Sequence, residues 1–261
     1  MSGIVVVKLG GTTLADQAQV LAEIAAVARR QPVVVVHGGG KRMTDWLVRL
    51  GVATRFEAGL RVTDPAALEV AAAVLRGVVN SELVAALRDL GVDAVGLSGV
   101  DGGLFVAERV AGMGLVAHVV GIQRDLLDAL LVGGQVPVVA PLARDEEGVV
   151  CNVNADDAAA GLAAGLGARQ LILMTDVDGI RAADGTRLET LSAAQAEALI
   201  MEGVIADGMI PKVRAALTGI PAPGAEAVIC DAAAPGALAR ALADRSFGTR
   251  LSAAPAAGEA A

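Results

Sequence analysis

The sequence predicts an α/β protein, a three-layer αβα sandwich with a mainly parallel central sheet. Short β-branched runs alternate with longer amphipathic runs, the pattern of βαβ units covered by helices. The short runs are rich in Val, Ile and Leu without polar alternation, as strands buried on both faces are. Glycine clusters follow two of them, at the strand ends where open α/β sheets bind ligands.

The strands read as residues 4–9, 33–36, 94–97, 136–140, 171–174 and 227–230. Between the first two, Leu14, Ala18, Leu21, Ala25 and Ala28 recur at helical spacing, with Asp16, Gln17, Gln19 and Glu23 opposite; this predicts a surface helix over 14–30. Further helices are expected over 43–50, 65–90 with a break near Gly77, 122–131, 156–166, 192–201 and 212–217. Over 104–120 the pattern turns strand-like and is split by Gly112 and Gly114, which predicts a hairpin at the sheet edge. Residues 252–261 are Ala/Pro/Gly-rich with little to bury and are expected to be disordered.

A chain of 261 residues makes one large domain or two closely joined lobes. Although 54% of it is hydrophobic, no uncharged apolar run approaches the ~20 residues that span a bilayer. Lys8 interrupts the first apolar run before a signal-peptide core is complete, and Cys151 and Cys230 read as reduced thiols. The expectation is a cytoplasmic protein without membrane contact. A net charge of −8 and 2% aromatic content argue against nucleic acid, which needs a basic surface and stacking platforms. That leaves a small molecule as the partner.

The first glycine cluster is Lys8-Leu9-Gly10-Gly11-Thr12-Thr13, between a strand and a helix. Consecutive glycines let the backbone approach an anion, the helix N-terminus adds positive potential, and Lys8 adds a full charge; together they form a phosphate cradle. His37-Gly38-Gly39-Gly40 follows the second strand in the same position. It is not a Walker A loop, since Val35 stands where the first glycine belongs and Arg42 replaces Ser or Thr. Neither cluster spells the GxGxxG dinucleotide fingerprint, which argues against an NAD-binding protein. Two tandem glycine turns suggest backbone donors converging on one charged group, with His37 bonding locally to position its turn. His118 carries no better claim to catalysis.

Lys8-Leu9-Gly10-Gly11, Val36-His37-Gly38-Gly39-Gly40, Gly59-Leu60-Arg61-Val62-Thr63-Asp64, Gly96-Leu97-Ser98-Gly99, Asn152-Val153-Asn154-Ala155-Asp156, Thr175-Asp176-Val177-Asp178-Gly179 and Met209-Ile210-Pro211-Lys212 occur in this order. The series resembles the acetylglutamate kinases of the amino acid kinase family over nearly the whole chain. The resemblance implies the amino acid kinase fold, with an N-terminal lobe (1–167) for the acyl amino acid and dimerisation and a C-terminal lobe (168–251) for ATP with Mg2+. The implied activity is phosphorylation of the γ-carboxylate of N-acetyl-L-glutamate. Lys8 and Lys212 would flank the transferred phosphoryl group, with Asp156 organising both. Gly10, Gly11, Gly38 and Gly39 would donate N–H groups around the phosphoryl and the acceptor. Arg61 would grip the α-carboxylate, and Asn152 and Asn154 would hold the substrate's amide and carboxylate end. Thr175, Asp176, Asp178, Gly179, Gly208 and Met209 would meet the nucleotide, with no metal held directly by the protein.

These roles suit the residue types. Phosphoryl transfer depends on positioning and charge, which two lysines supply, and an acceptor carboxylate needs no general base. Arg61 offers a fork that matches a carboxylate, its bland alternative being an ion pair with Asp64 or Glu57. Pro211 fits a first helical turn, so Lys212 sits at a positive helix end that favours a phosphate. The Asp176-Val-Asp178-Gly179 turn is not an EF-hand loop, as Ile180 and Arg187 occupy ligand positions.

Two features depart from the family pattern: Val100 stands where a lysine is common, and Lys41-Arg42 follows the triple glycine. Both leave open a kinase for 2-aminoadipate or glutamate on a small acidic carrier protein, which the basic pair would attract. A nonenzymatic amino-acid sensor is the alternative from another class, and both lysines argue against it. The family's arginine-inhibited hexamers carry an extra N-terminal helix, which this chain has no room for, so a homodimer packed through the apolar helix 68–87 is expected.

Overall fold

The computed structural model describes residues 3–10, 14–57 and 59–252, with the backbone alone for 14–17. The first half runs β1 (Val5–Leu9), α1 (Leu14–Ala28), β2 (Val33–His37), α2 (Gly40–Arg49), β3 (Arg55–Glu57), β4 (Leu60–Val62), α3 (Pro65–Ala72) and α4 (Asn80–Asp89). Then come β5 (Ala94–Ser98), β6 (Phe105–Arg109), β7 (Val116–Ile122), α5 (Asp125–Val132), β8 (Val136–Ala140), β9 (Leu142–Arg144), β10 (Val150–Val153) and α6 (Ala155–Leu166). The chain closes with β11 (Gln170–Thr175), β12 (Thr190–Ser192), α7 (Ala193–Met201), α8 (Met209–Thr218), β13 (Glu226–Asp231), α9 (Ala237–Ala243) and β14 (Thr249–Ser252).

Eight strands form one sheet in the order β12-β14-β13-β11-β1-β2-β8-β5. All pairings are parallel except β13 with β14, so β12 and β14 run against the other six strands. Successive side chains on a strand point to opposite faces, which gives the two buried layers their membership. Val5, Val7, Leu9, Val33 and Val35 pack with Leu21 and Ile24 of α1, Leu83 and Leu87 of α4 and Leu238 of α9. Val6, Val34 and Val36 pack with Leu127 of α5, Leu162 of α6, Ala196 of α7 and Val213 of α8. This parity also sends Lys8 toward the α6 side and His37 toward the α4 side. A third apolar cluster, including Met43, Leu47, Val70 and Leu75, holds α2 and α3 over Ala140 and Leu142.

The hairpin expected at 104–120 exists as β6 and β7, but it does not extend the main sheet. With β9 and β10 it closes into a separate four-stranded sheet, order β10-β7-β6-β9. The local pattern specifies a hairpin, while its docking depends on β9 and β10, which are too short to read. Nor does Gly77 break its helix: Ala73–Val79 is π-helical and joins α3 to α4 without interruption. The joined helix Pro65–Asp89 has a mean hydropathy of 1.6 and is long and apolar enough to cross a bilayer. Its Ala67, Val70, Leu75, Leu83 and Leu87 are buried and its other face carries charge, as in a core helix. Helix α5 starts at Asp125, with Ile122 still in β7. Ser252 ends a paired strand, and the rest of the expected tail lies outside the described residues. The short β3, β4, β9, β10, β12 and β14 and helix α9 had no expectation.

At the outer edge strand β5, Arg88 Nη1 donates to the Ala94 carbonyl at 3.4 Å and Arg76 Nη2 to that of Gly96 at 3.2 Å. Helix α6 lies against β7 so closely that a Cβ on Gly161 would stand 2.5 Å from Val119 Cγ1 and 3.0 Å from Val119 Cβ. Gly161→Ala gains about 1 kcal/mol of helix propensity but overpacks this contact by ~1–3 kcal/mol. A lower melting temperature in a thermal scan is therefore expected.

Candidate active site

Lys8 and Lys212 meet on one carboxylate. Lys8 Nζ is 2.8 Å from Asp156 Oδ1, and Lys212 Nζ donates to Asp156 Oδ2 at 2.9 Å. All three side chains are largely buried, at 10%, 12% and 13% exposure for Lys8, Asp156 and Lys212. Asp156 lies in the first turn of α6, where the helix dipole favours an anion, and Asn154 caps that turn by accepting from the Asp156 N–H at 2.7 Å. Lys212 lies in the first turn of α8, close to the positive helix end, and Asp156 offsets that placement. Burial pushes the Asp156 carboxyl up, but the two ammonium groups outweigh it and hold it below the usual carboxylate range. Burial lowers the Lys8 ammonium below its ordinary value, and Asp156 offsets this only in part. Two cations on one anion leave a unit of positive charge facing the cleft.

The glycine turns border this triad. Gly10 follows β1 closely beside β11, where a Cβ would stand 3.1 Å from the Met174 carbonyl oxygen; Gly11 lies outside the described residues. Gly38 N–H donates to the Leu9 carbonyl at 3.1 Å, so it is used within the fold and is not one of the expected donors toward substrate. Gly39 and Gly40 open α2 without a side-chain cap or acidic residue in its first turn. His37 is buried, with Nδ1 2.8 Å from the Gly38 carbonyl, and burial lowers its imidazole to about 4. It is a neutral hydrogen-bonding group at physiological pH.

A cavity of ≈ 290 Å³ lies between them, walled by Lys8, Gly38 to Gly40, Arg61, Asn152, Asn154 and Asp156. Arg61 is 8% exposed: Nη2 donates to Thr44 Oγ1 at 2.7 Å, the guanidinium lies 4.5 Å from the Phe56 ring centroid, and Nη1 has no partner. It does not pair with the two acids considered for it, since Asp64 caps α3 and Glu57 binds Arg55. A buried, unpaired guanidinium nitrogen at a cavity wall calls for an anion. Asn152 donates to Thr63 Oγ1 at 3.3 Å and Asn154 accepts through its amide oxygen; among the described residues, the Asn152 oxygen and the Asn154 NH₂ have no hydrogen-bond partner.

A second cavity of ≈ 620 Å³ lies at the carboxyl ends of β11 and β13, lined by Asp176, Asp178, Gly179 and Met209. Thr175 ends β11 beside it and bonds Asp176 at 2.9 Å. Gly208 instead lines a third cavity of ≈ 840 Å³, with Asn154, Asp157 and Arg214. The first turn of α8 thus joins the regions: Met209 faces one cavity and Lys212 reaches the triad of the other. Sequence reasoning missed Phe56, Met43 and Leu75 at the first cavity and Asp231 and Ile205 at the second. Only Asp231 carried a signal, as an acid at a carboxyl strand end.

An αβα sandwich with two buried lysines on one carboxylate, beside cavities at the carboxyl strand ends, suits a small-molecule kinase, and the chain belongs to the amino acid kinase family, whose pattern matches residues 3–231. Within it, the chain is similar to the acetylglutamate kinase of Rubrobacter xylanophilus, 47% identical over 94% of this chain and 95% of that one. The acetylglutamate kinase of Solibacter usitatus is 45% identical over 94% and 97% of the two chains. Among solved structures, smu.665 from Streptococcus mutans superposes with a TM-score of 0.81 at 28% identity, covering 97% of this chain and 99% of that one. N-acetylglutamate synthase from Neisseria gonorrhoeae gives 0.82 at 25% identity, over 96% of this chain and 59% of that one.

Asp156→Asn should lower kcat by roughly 10²–10³, the effect of losing one preorganised transition-state group. Because the Asp156 charge raises the Lys8 pKa, its loss should also move the alkaline limb of the kcat/KM profile to lower pH. For His37 the folded pKa, about 4, lies below the ordinary 6.5. The unfolded chain protonates first, so up to about 3 kcal/mol of stability should disappear as pH falls through that window. An NMR titration of the His37 ring checks this.

Proposed function

We propose that this chain transfers the γ-phosphoryl group of ATP to the γ-carboxylate of N-acetyl-L-glutamate, giving N-acetyl-L-glutamyl 5-phosphate for arginine biosynthesis in the cytoplasm. The observation that carries this reading is the Lys8–Asp156–Lys212 triad at the edge of a cavity that is also lined by Arg61, whose Nη1 has no partner among the described residues. The substrate is a dianion, and the two cationic ends suit its two carboxylates. Arg61 takes the α-carboxylate in a fork, while Asn152 and Asn154 face the acyl amide and orient it.

The γ-carboxylate is ionised at neutral pH, so an oxygen lone pair attacks phosphorus directly. The bond from γ-phosphorus to the β–γ bridging oxygen breaks and ADP leaves with its electron pair. Lys8 and Lys212 neutralise charge on the attacking and leaving sides and on the equatorial oxygens, and Asp156 fixes both ammonium groups beforehand. Gly39 and the α2 N-terminus supply further donors. Asp176, Asp178, Gly179 and Met209 border the nucleotide. Mg2+ bound with ATP would screen phosphate charge; the acids Asp176, Asp178 and Asp231 near this cavity suit its hydration shell.

The carrier-bound acceptor is less well supported. Arg42 of the basic pair is held in a fork by Glu82 at 2.7 and 3.0 Å, and Val100 packs on the third apolar cluster. For the homodimer, the exposed Ala66, Ala73, Gly77 and Ala85 of the Pro65–Asp89 helix leave room for a second copy.

Purified enzyme with MgATP should phosphorylate free N-acetyl-L-glutamate; activity only with an added carrier protein would refute this. Lys8→Ala and Lys212→Ala should each lower kcat by roughly 10²–10³ with smaller changes in KM, whereas Arg61→Ala should chiefly raise the KM of the acyl amino acid. Light scattering should return a dimer, and a stable hexamer or monomer would exclude that assembly.

A further inference from the structure

The Gly38–Gly39 peptide is held on one side only. Its carbonyl oxygen lies 2.8 Å from His37 Nδ1, and the preceding N–H, that of Gly38, is tied to Leu9. In a trans peptide the C=O and the following N–H point in opposite directions. Fixing the Gly38 carbonyl against the buried imidazole therefore turns the Gly39 N–H the other way, toward the cavity that Gly39 lines. That N–H has no partner among the described residues. A flipped peptide would present a carbonyl oxygen to the acceptor anion instead.

The imidazole donates to Gly38 only if its proton is on Nδ1, and Asn80 decides that. Asn80 is fully buried. Its Nδ2 lies 2.8 Å from the Val138 carbonyl, 3.4 Å from that of Leu97 and 3.0 Å from His37 Nε2, while its Oδ1 accepts from Arg76 Nη1 at 3.2 Å. Two backbone carbonyls on one side and a guanidinium on the other admit a single orientation of the amide. The NH₂ group then donates to Nε2, which must be bare, and the ring proton is left on Nδ1. The nearby charged groups are Arg76 and, beside it at 3.5 Å, Asp101.

We propose that Asn80 is a positioning residue for phosphoryl transfer, acting through the His37 tautomer to keep the Gly39 N–H facing the acceptor. The proposal rests on the kinase reading above. It assigns a role to a mid-helix asparagine on the opposite side of the sheet from the catalytic triad.

The test is Asn80→Asp, read by the ¹⁵N shifts of His37 and by pH–rate profiles with MgATP and N-acetyl-L-glutamate. A carboxylate accepts where the amide donated, so the neutral ring should carry its proton on Nε2 and turn a bare Nδ1 to the Gly38 carbonyl. Only the imidazolium then restores that contact, and the carboxylate raises the ring pKa. Activity of Asn80→Asp should rise as pH falls through the new His37 pKa, a slope absent from the wild type. Asn80→Ala should lower kcat roughly tenfold, with the KM for ATP unchanged. Should Asn80→Asp fail to fold, His37→Asn and His37→Gln replace it. The shorter amide sits where Nδ1 was and keeps the donor to Gly38, so His37→Asn should retain several-fold more activity than His37→Gln. A wild-type ring protonated on Nε2, a wild-type pH profile in Asn80→Asp, or equal activity of the two His37 variants would overturn the proposal. Silence of the wild type toward N-acetyl-L-glutamate would count against the kinase reading instead, while the ¹⁵N measurement still judges the tautomer.

Discussion

One buried carboxylate holds two ammonium groups, and most of the architecture is arranged around that fact. A buried ion pair without further compensation is a poor source of stability. Here the arrangement has one cation too many, so it is satisfied only when an anion arrives. Asp156 is placed by α6, Lys8 by the central strand β1 and Lys212 by the opening turn of α8, three elements far apart in the chain. The small residues of α6, Ala158, Ala159, Ala160 and Gly161, let it lie close to the sheet and to β7, which sets where the carboxylate sits.

The two faces of the sheet divide the chemistry. Side chains that alternate along β1 and β2 send Lys8 to the α6 layer, where charge is assembled, and His37 to the α4 layer, where backbone geometry is fixed. Both effects converge at the carboxyl ends of the same two strands. On the proposed reading, a substrate at that rim would meet side-chain cations from one layer and a peptide N–H set by the other.

Much of this was legible in the sequence, for reasons that differ by element. The six longer strands of the main sheet were read to within one residue at each end because burial on both faces leaves an uninterrupted apolar run. The tandem glycine turns were visible because Gly38 to Gly40 exceed what a turn requires. The grouping of Lys8, Asp156 and Lys212 came through family resemblance, since no local spacing joins residues carried by separate elements. The β3–β4 hairpin escaped because its residues are largely exposed and each strand has three residues. Phe56 escaped with it. Asn80 was hidden for a different reason: beside Ser81 and Glu82 it reads as part of a polar surface turn, and only the tertiary fold shows the carbonyls around it. The β6–β7 hairpin was seen but misplaced, because strand pattern specifies pairing and not which sheet receives it.

The arginines along β5 bear on how the molecule behaves in a crowded solution. An outermost strand offers a row of bare peptide acceptors, a template on which another chain can add itself. Arg76 and Arg88 reach over from the adjoining helix and occupy the outward carbonyls of Gly96 and Ala94. They take the acceptors that a further strand would use, and a charged surrogate repels any apolar segment seeking to dock. The far side is guarded by brevity, since β12 has only three residues to offer. Growth of this hydrophobic sheet is thereby opposed at both margins by the same chain that built it.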